Sequence, residues 1–310
     1  MNYNIKYLFV FLFTAAVSLF GQSSDISDEA WVDIAQCEYD ILPNITYGKA
    51  NNTDLKLDLY LPHERSKAVP VLMLFHGGGW VAGAKERNVM QLLPYLSMGW
   101  AVINVEYRLA GNSPAPAAVE DCRCALRWAY DFSRVYNFDK NKIVLTGGSA
   151  GGHLALITGM LPDNSEFDRV CPVADSLRWS TNNAPAVKVA AIVSWYGIPD
   201  VASILEGPDA KHYANEWFGS MPGRMELAKK ISPVNYVRPD APPVISIHGD
   251  KDNVAPYKYV TAFHEALDAA GVKNKLVTVP GGMHAGYSKE AFSNAFKEIR
   301  TFLKELKIIE

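Results

Sequence analysis

The sequence has no excess of basic residues. Its 30 Lys and Arg are outnumbered by 33 Asp and Glu, for a formal net charge of −3 and a pI near 6.2. No basic stripe runs along it, so it lacks the electrostatic footprint of a nucleic-acid or acidic-membrane binder. It has four cysteines and no Cys-x-x-Cys or His-x-x-x-His spacing, so it does not read as a metal-site protein. It also has no apolar run of the roughly 20 residues that span a bilayer. The longest one, residues 7–20, is about fourteen residues long and follows Lys6. A short basic end, an apolar stretch and a polar exit at Gly21-Gln22-Ser23-Ser24 describe an export signal over residues 1–21. The alternative is an uncleaved N-terminal anchor. The expected destination is the periplasm or the medium, with no stable membrane insertion.

Export permits disulfides. Cys122 and Cys124 sit two apart on a predicted helix, point to different faces and cannot bond each other. Cys37 with one of them and Cys171 with the other is the pairing favoured here, against the alternative of four small buried residues.

What the sequence does have is 49% hydrophobic residues over 310 positions, ample for a large core. Residues 25–49 read as an irregular stretch. Leu55, Leu57, Leu59 and Leu61 then alternate with polar neighbours, the period of a half-buried strand. Continuous apolar runs follow at 69–75, 101–105, 143–145, 189–193, 244–247 and 276–279, as expected of strands covered on both faces. Helical stretches lie at 117–135, 153–159, 225–230, 257–270 and 289–306. Strand alternating with helix predicts an α/β fold, a mostly parallel doubly wound sheet in a single domain over residues 22–310. The aperiodic segments 161–185 and 201–223 read as insertions above that sheet.

Four motifs carry chemistry. Gly147-Gly148-Ser149-Ala150-Gly151 follows a predicted strand and precedes a predicted helix, so Ser149 occupies a tight turn that exposes a nucleophile. His76-Gly77-Gly78-Gly79-Trp80 leaves backbone amides uncovered. Those of Gly78 and Gly79, with that of Ala150, are candidate oxyanion donors, and His76 reads as a loop-shaping residue. His248-Gly249-Asp250-Lys251-Asp252 offers two candidate acids, and Pro280-Gly281-Gly282-Met283-His284 offers a base. The order Ser149, acid, His284 is that of α/β-hydrolases, with every member at the C-terminal end of a predicted strand.

With these four motifs in order, the chain from residue 55 onward resembles the α/β-hydrolase esterases of the hormone-sensitive-lipase-like and feruloyl/acetyl-xylan-esterase-like groups. The resemblance implies that the last aspartate of the His-Gly-x-x-Asp turn, Asp252, is the acid, and that Asp250 shapes the turn. It also implies that Arg108 and Asp121 tie a loop to a helix. Asn253 departs from the proline often found there.

The expected activity is hydrolysis of short acyl esters, acetyl or feruloyl, on carbohydrate through an acyl-serine, with no cofactor and no metal. The partner is then a small-molecule or oligosaccharide ester, with no nucleic acid. Among the loop aromatics Trp80, Trp179, Tyr196, Tyr213, Trp217 and Tyr287, we single out Trp80 and Tyr196 as candidate substrate contacts. Three other readings remain: an arylformamidase-like amide hydrolase, a general carboxylesterase or lipase, and a binding protein on an inactive hydrolase scaffold.

Overall fold

The fold follows from how the apolar runs divide their side chains. In the computed structural model, strand β3 (Val69–Phe75) sends Val71, Met73 and Phe75 into one hydrophobic core, and Leu72 and Leu74 into another. Successive side chains of a strand point to opposite faces, so a run apolar at every position must be covered on both. The structure describes residues 38–163, 165–168, 171 and 186–310. The export signal, Cys37, Trp179 and segment 172–185 lie outside these.

Among the described residues one sheet of eight strands forms, in the order β1-β2-β4-β3-β5-β6-β7-β8. Strands β1 (Tyr39–Ala50) and β2 (Thr53–Pro62) are antiparallel, and β2 pairs antiparallel with β4 (Ala101–Val105). From β4 onward every pair is parallel: β3, β5 (Phe138–Gly148), β6 (Ala191–Trp195), β7 (Val244–Gly249) and β8 (Asn274–Val279).

Helices α1 (Ala117–Asp131), α2 (Ala150–Met160) and α3 (Tyr257–Ala269) bury Ala118, Leu126, Leu154, Phe263 and Leu267 in the first core. Helix α4 (Lys289–Glu305) places Ala295, Ile299 and Phe302 in the second. This is the doubly wound α/β arrangement expected from the alternation of elements.

Strand β1 corrects the reading of residues 25–49 as wholly irregular. It is an edge strand with a largely exposed face, two register shifts and a positive φ of 57° at Asn44, so its side chains show no period of two. Its hydrogen bonds to β2, not a hydrophobic pattern, make it a strand.

The cysteines follow the predicted scheme in part. Cys124 and Cys171 form a disulfide with a Cα–Cα distance of 4.8 Å. Cys122 is a free, fully buried thiol, which corrects its expected place in a disulfide. Two residues apart on α1, the side chains diverge, and Cys122 is spent in the first core.

Loop and helix are joined by a buried ion pair. Arg108 Nε donates to Asp121 at 2.9 Å and its Nη2 at 2.7 Å, while the Arg108 amide donates to the same carboxylate at 2.8 Å. Burial pushes the Asp121 carboxyl up, because the charged form loses water, and the Arg108 guanidinium opposes it.

Candidate active site

Strand β5 ends at Gly148 and α2 begins at Ala150, leaving Ser149 alone to make the turn. It does so at φ 57° and ψ −121°, a strained conformation for a residue with a Cβ. The neighbours make room for it. A Cβ on Gly151 would lie 2.0 Å from the carbonyl oxygen of Phe75, a clash with backbone of the adjacent strand. The Ser149 amide donates to Trp195 O at 2.9 Å, which pins the turn to β6.

The turn carries Ser149 Oγ to 2.8 Å from His284 Nε2. On the other edge of that ring, His284 Nδ1 lies 2.7 Å from Asp252 Oδ2. The carboxylate is fully buried and the imidazole side chain is 16% exposed. The second carboxylate oxygen accepts from the amides of Val254 at 2.8 Å and Ala255 at 2.9 Å. Burial alone would push the Asp252 carboxyl up. Hydrogen bonds from His248 and His284 and from the Ala255 amide outweigh it and hold the group well below the usual carboxylate range.

Asp250 sits elsewhere in the turn. Its Oδ1 accepts from the Gly281 amide at 2.7 Å, bracing the loop that carries His284. Of the two acids the sequence offered, only Asp252 meets the histidine.

The loop after β3 lies across the cleft. Gly78 takes φ 124°, and its carbonyl accepts from Val81 and Ala82, which closes the loop into a tight turn. Gly78 and Gly79 line a cleft of about 430 Å³ together with Ser149, His284, Tyr196 and Tyr213. The amides of Gly78, Gly79 and Ala150 donate to no other group among the described residues. Ala150 is the first residue of α2, whose leading amides have no partner within the helix and whose positive dipole end favours an anion.

His76 shapes the loop. Its ring stacks on Tyr107 at 4.2 Å, and its Nδ1 lies 2.8 Å from Gly77 O. Burial lowers its pKa, which keeps it neutral.

Of the two aromatic candidates, Tyr196 lines the cleft and stands edge-on to His284 at 4.9 Å. Trp80 does not, which corrects its selection as a substrate contact. It is fully buried, stacks on Trp217 at 4.3 Å and donates to His153 Nδ1 at 3.2 Å. A turn with φ 63° at Trp80 sends the indole into the core. The sequence cannot distinguish a loop tryptophan facing inward from one facing solvent.

Several residues of the site escaped the sequence reading, His248, Arg87 and Gln91 among them. His248, assigned no role there, touches Asp252 from within β7. Arg87 and Gln91 line the cleft from a 3-10 segment, Lys85–Leu92. Only His248 had a signal, its place at the head of the acid-bearing turn.

The arrangement can pass a proton from a hydroxyl to an imidazole braced by a buried carboxylate, beside free amides able to receive negative charge. Among the described residues, no cluster of His, Cys, Asp and Glu could hold a metal ion.

Comparisons with known proteins bear on the family and the fold. The BD-FAE family model matches residues 57–267. The chain is 29% identical to a probable carboxylic ester hydrolase, LipM, of Mycobacterium tuberculosis, over 71% of this chain and 49% of that protein. It spans about half the length of the curated relatives it matches. Among solved structures, a truncated carbohydrate esterase from gut microbiota superposes with a TM-score of 0.70 at 29% identity, covering 87% of this chain and 98% of that one. The propionate-bound esterase Est2 of Thermogutta terrifontis gives 0.71 at 26% identity, covering 89% and 96%. The fold is that of an α/β-hydrolase, and the chain belongs to the BD-FAE family.

Proposed function

We propose that the protein is a serine esterase that hydrolyses short acyl esters, acetyl or feruloyl, on carbohydrate. The observation that carries this reading is the placement of one imidazole 2.8 Å from Ser149 Oγ and 2.7 Å from Asp252 Oδ2. Those distances fit a hydroxyl activated by a histidine whose tautomer a carboxylate fixes.

In the proposed mechanism the Ser149 hydroxyl donates its proton to His284 Nε2 as Oγ bonds to the ester carbonyl carbon. The carbonyl oxygen becomes an oxyanion held by the amides of Gly78, Gly79 and Ala150, each worth about 3 kcal/mol in the barrier. His284, now an imidazolium stabilised by Asp252, gives its proton to the alcohol oxygen as that bond breaks. Water then repeats the sequence on the acyl-serine, releasing the acid and restoring Ser149. This chain's residues supply every proton transfer.

The test is hydrolysis of 4-nitrophenyl acetate by the wild type and by Ser149→Ala. The reading expects the variant to lose nearly all turnover, and a retained rate would overturn it. Release of acetate or ferulate from xylan, set against turnover of N-formylkynurenine, separates the esterase from an arylformamidase-like hydrolase. Residues 1–21 are proposed to direct export and be removed, and N-terminal sequencing of the secreted protein reads that cleavage directly.

A further inference from the structure

The cleft over Ser149 carries one standing charge, and it is positive. Among the described residues that line it, Arg87 is the only Lys or Arg, and none is Asp or Glu. The charge of Asp252 is buried behind His284 and is met by two imidazole rings. A chain of net charge −3 thus presents a cation where its substrate enters.

Local packing turns that cation toward the cleft. In the 3-10 segment Lys85–Leu92 the Lys85 ammonium points inward, 2.8 Å from Asp58, and Leu92 is fully buried. Arg87 and Gln91 are left exposed, and both line the cleft. The adjacent carboxylate, Glu86, is engaged elsewhere, accepting from Lys85 Nζ at 2.7 Å. Neither the Arg87 nor the Gln91 side chain has a hydrogen bond or ion pair among the described residues.

An unpartnered guanidinium suits a planar anion. Its fork of N–H donors matches both oxygens of a carboxylate, and the Gln91 amide adds a neutral donor. One positive charge balances a carboxylate, whereas a phosphate, at about −1.5 to −2, would stay partly uncompensated. A concave site with low-dielectric walls focuses the field on whatever enters it.

Resting on the esterase reading above, we propose that Arg87, with Gln91, selects esters that carry a free carboxylate away from the scissile bond. The carboxylate belongs to the acyl group or to the alcohol, and substrates separate the two. Monomethyl esters of succinic, glutaric and adipic acids carry it in the acyl group. O-Acetylated 3-hydroxypropanoate, 4-hydroxybutanoate and 6-hydroxyhexanoate carry it in the alcohol. The corresponding primary amides are neutral references of nearly the same shape.

At pH 7 one series is expected to exceed its amides in kcat/KM by about three- to tenfold. The ratio is read within each protein, so a loss of folded enzyme cancels. Arg87→Gln should bring it to about one, Arg87→Glu should invert it and Arg87→Lys should keep part of it. In the wild type, salt raised from about 0.01 M to about 1 M should shrink it, as the screening length falls from about 30 to about 3 Å. Parity of acid and amide in both series, or an unchanged ratio in Arg87→Gln, overturns the inference while leaving the esterase reading intact. Calorimetric binding of monomethyl glutarate and its amide reads the same selection without turnover. Tighter binding of the acid, lost in Arg87→Gln, supports the inference, and equal binding sinks it even if no ester is cleaved.

Discussion

His248 and Asp252 meet inside the protein: His248 Nε2 lies 3.2 Å from Asp252 Oδ2, the same oxygen that receives His284 Nδ1. His248 Nε2 also lies 2.8 Å from Ala255 O, so one ring fixes both the carboxylate and the turn that follows it. The Asp252 carboxylate is thereby held on two sides, and its lone pairs are spent on orientation.

His248 is therefore a positioning residue. Replacing it with Gln keeps a donor near Ala255 O but loses the rigid ring that holds one N–H between Ala255 O and Asp252 Oδ2. A hydrogen bond to a charged group contributes about 1.5–3 kcal/mol, so kcat is expected to fall about tenfold or more with KM within about twofold. Steady-state kinetics on 4-nitrophenyl acetate check the split, and a rise confined to KM would contradict it.

The two aspartates of the turn should behave oppositely. Asp252→Asn removes the charge that stabilises the imidazolium in the proposed mechanism and is expected to cost about 10⁴ in kcat. Asp250→Asn keeps an acceptor for the Gly281 amide and should leave kcat within about threefold. Parallel kinetics on the two proteins decide the matter, and equal losses would mean the carboxylate assignment is wrong.

Trp80 is predicted to matter for stability before it matters for substrate. Removing so large a buried side chain leaves a cavity between Trp217, Tyr213 and His153, so Trp80→Ala should cost about 3–5 kcal/mol in urea unfolding. Trp80→Phe should keep KM for small esters within about twofold. A large rise in its KM with unfolding unchanged would return Trp80 to the cleft.

Stability should also depend on pH through His153. Burial lowers its pKa to about 4. The neutral ring accepts from Trp80 Nε1 at 3.2 Å on Nδ1 and donates to Ile231 O at 2.7 Å from Nε2. An unfolded imidazole titrates near 6.5. As pH falls from about 6.5 to about 4, the unfolded chain gains a proton that the native chain refuses, so stability is lost through that window and fully present above it. The contribution is about 3 kcal/mol. Unfolding free energies at pH 7 and pH 4.5 should therefore drop more in the wild type than in His153→Gln, and equal slopes would rule the effect out.

Much of the architecture was legible. The apolar runs at residues 69–75, 101–105 and 143–145 need no partner to be recognised, because burial on both faces removes every polar position from a strand. Strand β1 was not, because an edge strand with one exposed face is specified by its neighbour's backbone. Cys122 and Cys124 were rightly held apart by helix geometry, yet which of them faces the core depends on the rotation of α1 against the sheet.

The order of motifs along the chain put Ser149, two acids and His284 at strand ends, and glycine at Gly151 was demanded by a turn too tight for a side chain. That is local chemistry, written in residue type and spacing. Which acid meets His284, which way Trp80 turns and that His248 braces the carboxylate were decided only by folding. Each is a distance between groups far apart in sequence or a side chain's choice between two faces. Neighbours brought in by the sheet set both.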